Sequence, residues 1–397
     1  MPSPPRVRLG YRPALDGVRG IAIALVVLFH YPWGVRNRGD PFANNPFHGG
    51  FLGVDAFFVL SGFLITTLLL QEHAKFGRIS LRWFYARRAL RLLPALAVLL
   101  AIAVFLHFQL SAGDGNRPET SGLLGVLLYG ANWVNIYRPK ALGITADTWS
   151  LAIEEQFYLL WPILLLLLLR RRVRVRTIAI VAAVGIAASA AWRAWYWYDR
   201  VGGHASNIYV AYAQGLARPG AWNRIYFGSD TRADMLLAGA LTAILLFSLL
   251  THAGPRVRAG LGLASIVGLI AGGVIVLNAT VFVSGWMPEW GFLAFGLSIA
   301  AVIAGLVAVP HGLLARGFAL APLVWLGSRS YAVYLFHQLV FVYLGRSHVP
   351  LPPALSFVFQ MVAIAVVAEL SYLLVEAPMR RRKRRFEPDA PVLSLPA

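Results

Sequence analysis

The chain contains no cysteine. That excludes disulfides, thiolate metal sites and an acyl-cysteine intermediate. Acidic residues are scarce: 17 Asp plus Glu stand against 36 Lys plus Arg, only three of them lysine, for a formal charge of +19. Charged residues of both signs make up 13% of the 397 residues, about half the share of an ordinary soluble domain. There is no heptad, tandem repeat, low-complexity tract or Asp-x-Asp metal motif, and no polar stretch long enough to build a separate soluble domain. What remains is apolar, with 58% of residues in the hydrophobic class and a mean hydropathy of +0.65. A water-soluble globule is excluded.

The apolar residues fall into runs of the length a helix needs to cross ~30 Å of hydrocarbon. The first run, Ile21 to Phe29, is flanked by Asp16, Arg19 and His30 and has no small-x-small cleavage pattern, so it reads as a retained helix and not a signal peptide. Eleven segments can be marked, at 17–33, 50–70, 90–110, 121–137, 150–169, 177–198, 232–250, 259–277, 290–309, 328–345 and 353–375. Dense arginine clusters follow the second (Arg78 to Arg91), the fifth (Arg170 to Arg176) and the last (Arg380 to Arg385), and all should face the cytoplasm. That holds only if the weak segment 121–137, with Asn132, Trp133 and Asn135, lies at the interface without crossing. The expected fold is therefore an all-α polytopic bundle of about ten transmembrane helices with both termini cytoplasmic. Residues 1–378 form one membrane domain, and 379–397 form a basic cytoplasmic tail. The arginine excess is then first a topology signal, and no nucleic-acid partner is expected. The outer connections are at 34–49, 111–149 and 199–230; the last, with the adjoining end of segment 177–198, carries Trp192, Trp195, Trp197, Tyr209, Tyr212 and Trp222, which suit an aromatic belt or a sugar-stacking surface.

Ionisable side chains inside a bilayer are costly, and they mark functional sites by default. Arg19 and His30 lie eleven residues apart, nearly on one helix face and separated by ~16 Å along the axis. Asp55 has no cation at i+3 or i+4 and needs a partner from another helix; His30 is the natural candidate, because the first two segments are joined by a short loop. Arg87, Arg88 and Arg91 open the third segment, where they serve either topology or a clamp for an anionic ligand such as a pyrophosphate. Ser150, Glu154 and Tyr158 share one face of a leucine-rich helix, with Glu155 adjacent. Arg232 with Asp234, then Tyr331, Tyr334 and His337, then Glu369 and Glu376 complete the set. So many polar groups imply a polar cavity inside the bundle.

These residues resemble the membrane acyltransferase-3 family. The resemblance runs in order through Leu15-Asp16-Gly17-Val18-Arg19-Gly20 with His30, Gly50 to Phe63, Arg87-Arg88-Ala89-Leu90-Arg91, Trp149 to Tyr158, Thr231-Arg232-Ala233-Asp234, Ser330 to His337, and Val375-Glu376-Ala377-Pro378. It implies a ten-helix bundle in a bacterial cytoplasmic membrane that moves an acyl group, usually acetyl, from cytoplasmic acyl-CoA to a hydroxyl of a glycan. Arg19 and His30 match the family's Arg-x10-His motif, and Arg87, Arg88 and Arg91 its donor-side motif. The chain looks like a stand-alone member without the esterase-like domain fused to many relatives. On this reading His30 is the general base, supported by Asp55 or Glu154, with Ser61 and Ser150 as alternative nucleophiles. Arg19, Arg87, Arg88 and Arg91 hold acetyl-CoA or another acyl-CoA. Glu155, Tyr158, Arg232, Asp234, Tyr334 and His337 line the substrate site, and no metal is expected. The alternatives are acylation of a small metabolite such as a macrolide, a proton-coupled transporter, and a polyprenyl-linked glycosyltransferase.

Overall fold

Prolines mark the start of several helices. In the computed structural model, which describes residues 10–33, 45–111, 114–201, 220–251, 253–280, 285–345 and 348–382, α1 (Pro13–His30) opens on a proline whose missing N–H costs no bond. Its Asp16 sits against the positive end of the helix dipole. Much of the expected connections at 34–49 and 199–230, including Tyr209 and Tyr212, lies outside the described residues. So do Arg6, Arg8 and the basic tail beyond residue 382.

After a short 3-10 turn, α2 (Gly53–Phe76) returns and stops at Gly77, whose φ of 67° suits a residue without a Cβ and whose N–H bonds the His73 carbonyl. The third helix, α3 (Leu81–Gln109), is followed by α4 (Thr120–Leu127) and α5 (Ala131–Tyr137). The ends of this pair meet: the Glu119 N–H donates to the Ala141 carbonyl at 2.8 Å, and Arg138 pairs with Glu119 at 3.1 Å. A segment whose ends touch does not cross. The α4–α5 unit is a helical hairpin, and its second helix packs against the later helices Trp149–Arg170 and Ala221–Phe227. Its tip, where Tyr129 has a φ of 52°, is held by Gln156, which donates to the Tyr129 carbonyl at 2.8 Å and Asn132 Oδ1 at 3.0 Å.

The remainder comprises α6 (Trp149–Arg170), α7 (Val175–Tyr196), α8 (Ala221–Phe227), α9 (Ser229–Leu249), α10 (Pro255–Asn278), α11 (Phe292–Ala308), α12 (Leu313–Phe318), α13 (Ala321–Ser328), α14 (Ser330–Tyr343), α15 (Pro353–Ser371) and α16 (Ala377–Arg382). Among the described residues there is no strand, and nine helical stretches are long and apolar enough to cross a membrane. The expected crossing at 328–345 is α14, whose 14 residues cover only ~21 Å. It runs beside α1 from the level of Arg19, with which Ser330 shares a pocket, to that of His30, which His337 faces. The chain is an all-α, multi-pass integral membrane protein.

Packing sets α2 at the centre. A Cβ on Gly62 would meet the Leu236 carbonyl of α9 at 1.8 Å, and one on Gly239 would meet the Val59 carbonyl of α2 at 1.9 Å. These reciprocal glycines let the two backbones touch, which is how helices associate without a hydrophobic drive between them. Leu263, Ile266, Ile270 and Leu277 on α10, and Leu355, Val358, Val362 and Val366 on α15, are exposed and face lipid. The starts of α3, α7 and α10 and the end of α6 bring Arg87, Arg91, Arg170, Arg176 and Arg256 to one end of the bundle, called here the basic end.

Candidate active site

A cavity of ≈ 510 Å³ enters from the basic end along one face of α2. Val54, Phe57, Phe58, Ser61, Leu64, Ile65, Leu68, Glu72 and Lys75 line it at helical spacing, over ~32 Å of helix. Arg19, Arg87, Arg88 and Arg91 flank its mouth, and Ser150 and Tyr334 stand among its lining residues near the opposite end. A smaller polar pocket of ≈ 160 Å³ adjoins it, sharing Arg19, Arg87, Arg91 and Ser330 and adding Asp16 and Ser328. Three guanidinium groups thus serve both spaces.

Four of the ionisable groups here, Arg19, Arg87, Arg88 and Glu154, bond to a neighbouring side chain. Arg87 pairs with Glu72 at 3.0 Å, and Arg19 with Asp16 at 3.2 Å. Deeper in, the Arg88 guanidinium lies 3.2 Å from Glu155 and 3.4 Å from the centre of the Tyr158 ring, a salt bridge and a cation–π contact on one side chain. Glu154 accepts a 2.7 Å hydrogen bond from the Ser61 hydroxyl. Expected site residues Arg19, Arg87, Arg88, Arg91, Glu154, Tyr158 and Tyr334 therefore share one cavity, with Glu155 bonded to its wall.

Past this wall lies a second cluster. The Tyr334 hydroxyl donates to the Asp147 carbonyl at 2.7 Å, so its oxygen accepts from Ser150 at 2.6 Å. Tyr334 also lines a small space beside Asp147 and Thr148. His337, one turn further along α14, has Nδ1 at 2.8 Å from the Tyr334 carbonyl. A carbonyl only accepts, so Nδ1 carries the proton and Nε2 points inward. There it meets His30 Nδ1 at 3.1 Å and Asp147 Oδ2 at 3.3 Å, while His30 Nε2 lies 3.7 Å from Asp147 Oδ1. The ligand-type atoms of His30, Asp147 and His337 lie within 4.8 Å of one another, a spacing that could also hold a metal ion.

The expected support of His30 by Asp55 or Glu154 is not made. The start of α2 packs against the Ala22 carbonyl of α1, where a Cβ on Gly53 would come within 2.3 Å, so Asp55 enters more than a turn below His30 and faces α9. Asp55 instead lies 2.6 Å from Arg232 Nη2, and Asp234 lies 2.7 Å from Arg193 Nη1; all four side chains are fully buried. Arg232 also sits 3.9 Å from the centre of the Phe292 ring. Arg232 and Asp234 are therefore sealed in a charge cluster joining α2, α7 and α9, away from the cavity where a substrate-lining role would place them. Glu154 lies in the cavity, bonded to Ser61.

Sequence reasoning missed Asp147 and Arg193. Asp147 lies just outside the apolar run of α6, where it read as loop; Arg193 sits among tryptophans that read as a belt. An acid two residues before a buried helix start is a signal for the first. The second had none without the pairing.

The family described as an acyltransferase domain matches residues 12–374. The chain belongs to this acyltransferase-3 family. It is 30% identical over 390 residues to the peptidoglycan O-acetyltransferase OatA of Listeria monocytogenes, covering 94% of this chain and 56% of that protein. It is 31% identical over 396 residues to the O-acetyltransferase OatA of Staphylococcus aureus strain NCTC 8325, with 94% and 58% covered. A putative O-acetyltransferase, SAS0844, of Staphylococcus aureus strain MSSA476 is 31% identical over 388 residues, with the same coverage. The chain thus spans somewhat over half the length of these relatives. No solved structure matches it. Its helices and its bacterial relatives make it a multi-pass protein of the bacterial cytoplasmic membrane.

Proposed function

We propose that the protein is a membrane O-acyltransferase that takes an acetyl group from cytoplasmic acetyl-CoA, or another acyl-CoA, to a hydroxyl of a carbohydrate. One observation carries this reading. The arginine-flanked cavity runs inward from the basic end to Ser150 and Tyr334, and a histidine–histidine–aspartate cluster lies directly behind them. The names of the relatives supply the acetyl group and the glycan. Residues 1–378 would form the catalytic membrane domain, and 379–397 a basic cytoplasmic tail.

On this reading Arg19, Arg87 and Arg91, with Arg88 deeper in the cavity, hold the phosphates of the donor at the basic end, where guanidinium groups bind phosphate in bidentate fashion. The thioester arm follows the apolar face of α2, past Tyr158 and Glu154, towards Tyr334. His30 takes the proton of the acceptor hydroxyl. The hydroxyl oxygen bonds to the thioester carbonyl carbon and the carbon–sulfur bond breaks. His30 then returns the proton to the departing thiolate, so that an ester and free CoA result. His337, fixed by the Tyr334 carbonyl, holds the His30 ring, and Asp147 balances the charge of the imidazolium. Tyr334 must turn aside for the two spaces to join.

The test is thiol release from acetyl-CoA by the purified protein in liposomes, with a pool of hydroxyl acceptors and with His30→Ala beside the wild type. Release that needs both His30 and an acceptor supports the reading. A folded wild type that releases no thiol from acetyl-, propionyl- or longer acyl-CoA overturns it, and flux driven by a pH gradient would then point to transport.

A further inference from the structure

At the end of the bundle opposite the basic end, five aromatic rings from α5 and α7 form a surface around one ion pair, Arg224 of α8 with Asp230 of α9. Trp133 and Tyr137 stack with their ring centres 6.4 Å apart and 14° between their planes. The Arg224 guanidinium lies 5.1 Å from the centre of the Trp133 ring and 5.9 Å from that of Tyr196, so it is held between α5 and α7. Trp192 and Trp195 stack at 4.9 Å with 21° between planes. Asp230 joins the parts: it takes both terminal nitrogens of Arg224, at 2.7 and 2.5 Å, and the Trp192 indole N–H at 2.9 Å.

A lipid belt explains this poorly. Belt tryptophans keep their N–H for the headgroup region, whereas that of Trp192 is committed to a carboxylate. Anionic headgroups would need a free cation, and the charge of Arg224 is balanced by Asp230. The surface is rigid, electrically neutral and built of flat rings, with Tyr137, Trp192 and Trp195 well exposed. A pyranose ring is the complementary shape: one face of C–H bonds to lie on an aromatic ring, and a rim of hydroxyls to meet the fixed edges of Arg224 and Asp230. The surface also connects to the site. Arg224 lies on α8 two residues from Tyr226, whose ring centre is 5.1 Å from that of Trp149, two residues after Asp147.

We propose that this surface binds the acceptor as a chain of neutral sugars, one ring on the Trp133–Tyr137 stack and another on the Trp192–Trp195 stack, with the Arg224–Asp230 pair between them. The assignment rests on the proposed carbohydrate acylation, but its binding step needs no donor and can be measured alone.

The experiment titrates chitotetraose, and separately cellotetraose, both uncharged, into the full chain in nanodiscs without acyl-CoA, following tryptophan fluorescence and heat. Saturable binding is expected for at least one of them. It should weaken about tenfold in Trp192→Ala and again in Trp133→Ala, since losing one stacked ring costs about 1.4 kcal/mol. Trp192→Phe, which keeps the plate and loses the N–H, should recover part of it. In turnover assays Trp192→Ala should raise the acceptor KM more than it lowers kcat. No binding of either sugar by the wild type, or equal binding by wild type and both alanine variants, overturns the proposal. Equal binding with normal acyl transfer would sink the surface and spare the reaction; ring-dependent sugar binding without any transfer would do the reverse.

Discussion

Ser150 and Tyr334 share a 2.6 Å hydrogen bond, and together they separate the cavity of the basic end from the cluster of His30, His337 and Asp147. Their pairing sets apart two roles of Tyr334, its bulk and its hydroxyl. Tyr334→Phe keeps the ring and removes one accepted and one donated bond, so acyl transfer should fall by about three- to tenfold, the worth of a net hydrogen bond. Tyr334→Ala opens the partition to water, and thiol release without any acceptor should rise above that of the wild type. The assay is thiol release in liposomes with and without acceptor. Equal acceptor-free release in all three proteins would show that the ring does not act as a barrier.

Asp147 is the group we expect to matter most among those that sequence reasoning passed over. Asp147→Asn preserves shape and removes the charge facing both histidines, so the imidazolium formed on proton transfer loses its counter-ion. Turnover should drop by roughly 10²- to 10⁴-fold, the range of general acid–base catalysis, with little change in either KM. Because the same three side chains have metal-like spacing, the assay is repeated after dialysis against a chelator. Retained activity agrees with proton handling by His30. Activity lost on chelation and restored by one divalent ion would replace that role with a metal centre.

The bundle was legible because hydrocarbon imposes a length and a polarity on every crossing. Helical spacing gave one shared face for Ser150, Glu154 and Tyr158 and another for Arg87 and Arg91, but that both groups line one cavity is visible only in the structure. The partners were not legible. Whether Asp55 meets His30 or Arg232 depends on how far α2 slides along α1, and that offset is set by the Gly53–Ala22 and Gly62–Leu236 contacts between helices. Spacing along one helix carries no information about it. The α4–α5 hairpin was hidden for a related reason: a weakly apolar run with asparagines gives no sign that its ends meet, until the Glu119–Ala141 bond is seen.

The arginines of the basic end should differ in how they fail. Arg91→Ala removes a cation common to the cavity and the adjoining pocket, and the KM for acetyl-CoA should rise more than kcat falls. Arg88→Ala also leaves Glu155 without its partner in the interior and strips the cation from the Tyr158 ring, so stability should drop as well. Arg88→Lys restores charge but not the planar fork and should recover folding better than donor affinity. Donor titrations combined with thermal unfolding in detergent measure both quantities. A donor KM indifferent to Arg91 would remove the phosphate clamp from the mechanism.

Asp55 and Arg232 provide the sharpest separation of structure from chemistry. Both are fully buried at 2.6 Å, and neither reaches the cavity. Removing one partner strands the other charge, so Asp55→Ala or Arg232→Ala should each cost about 3–5 kcal/mol, whereas the pair Asp55→Leu with Arg232→Met should recover most of it. Unfolding in detergent, compared with activity per folded molecule, decides the case. If Asp55 is structural, the folded fraction of each variant keeps near-normal turnover and the double variant regains yield. If it supports His30 as the sequence suggested, the double variant would fold and remain inactive, and the proton path would have to run from His30 into the Asp55–Arg232 cluster.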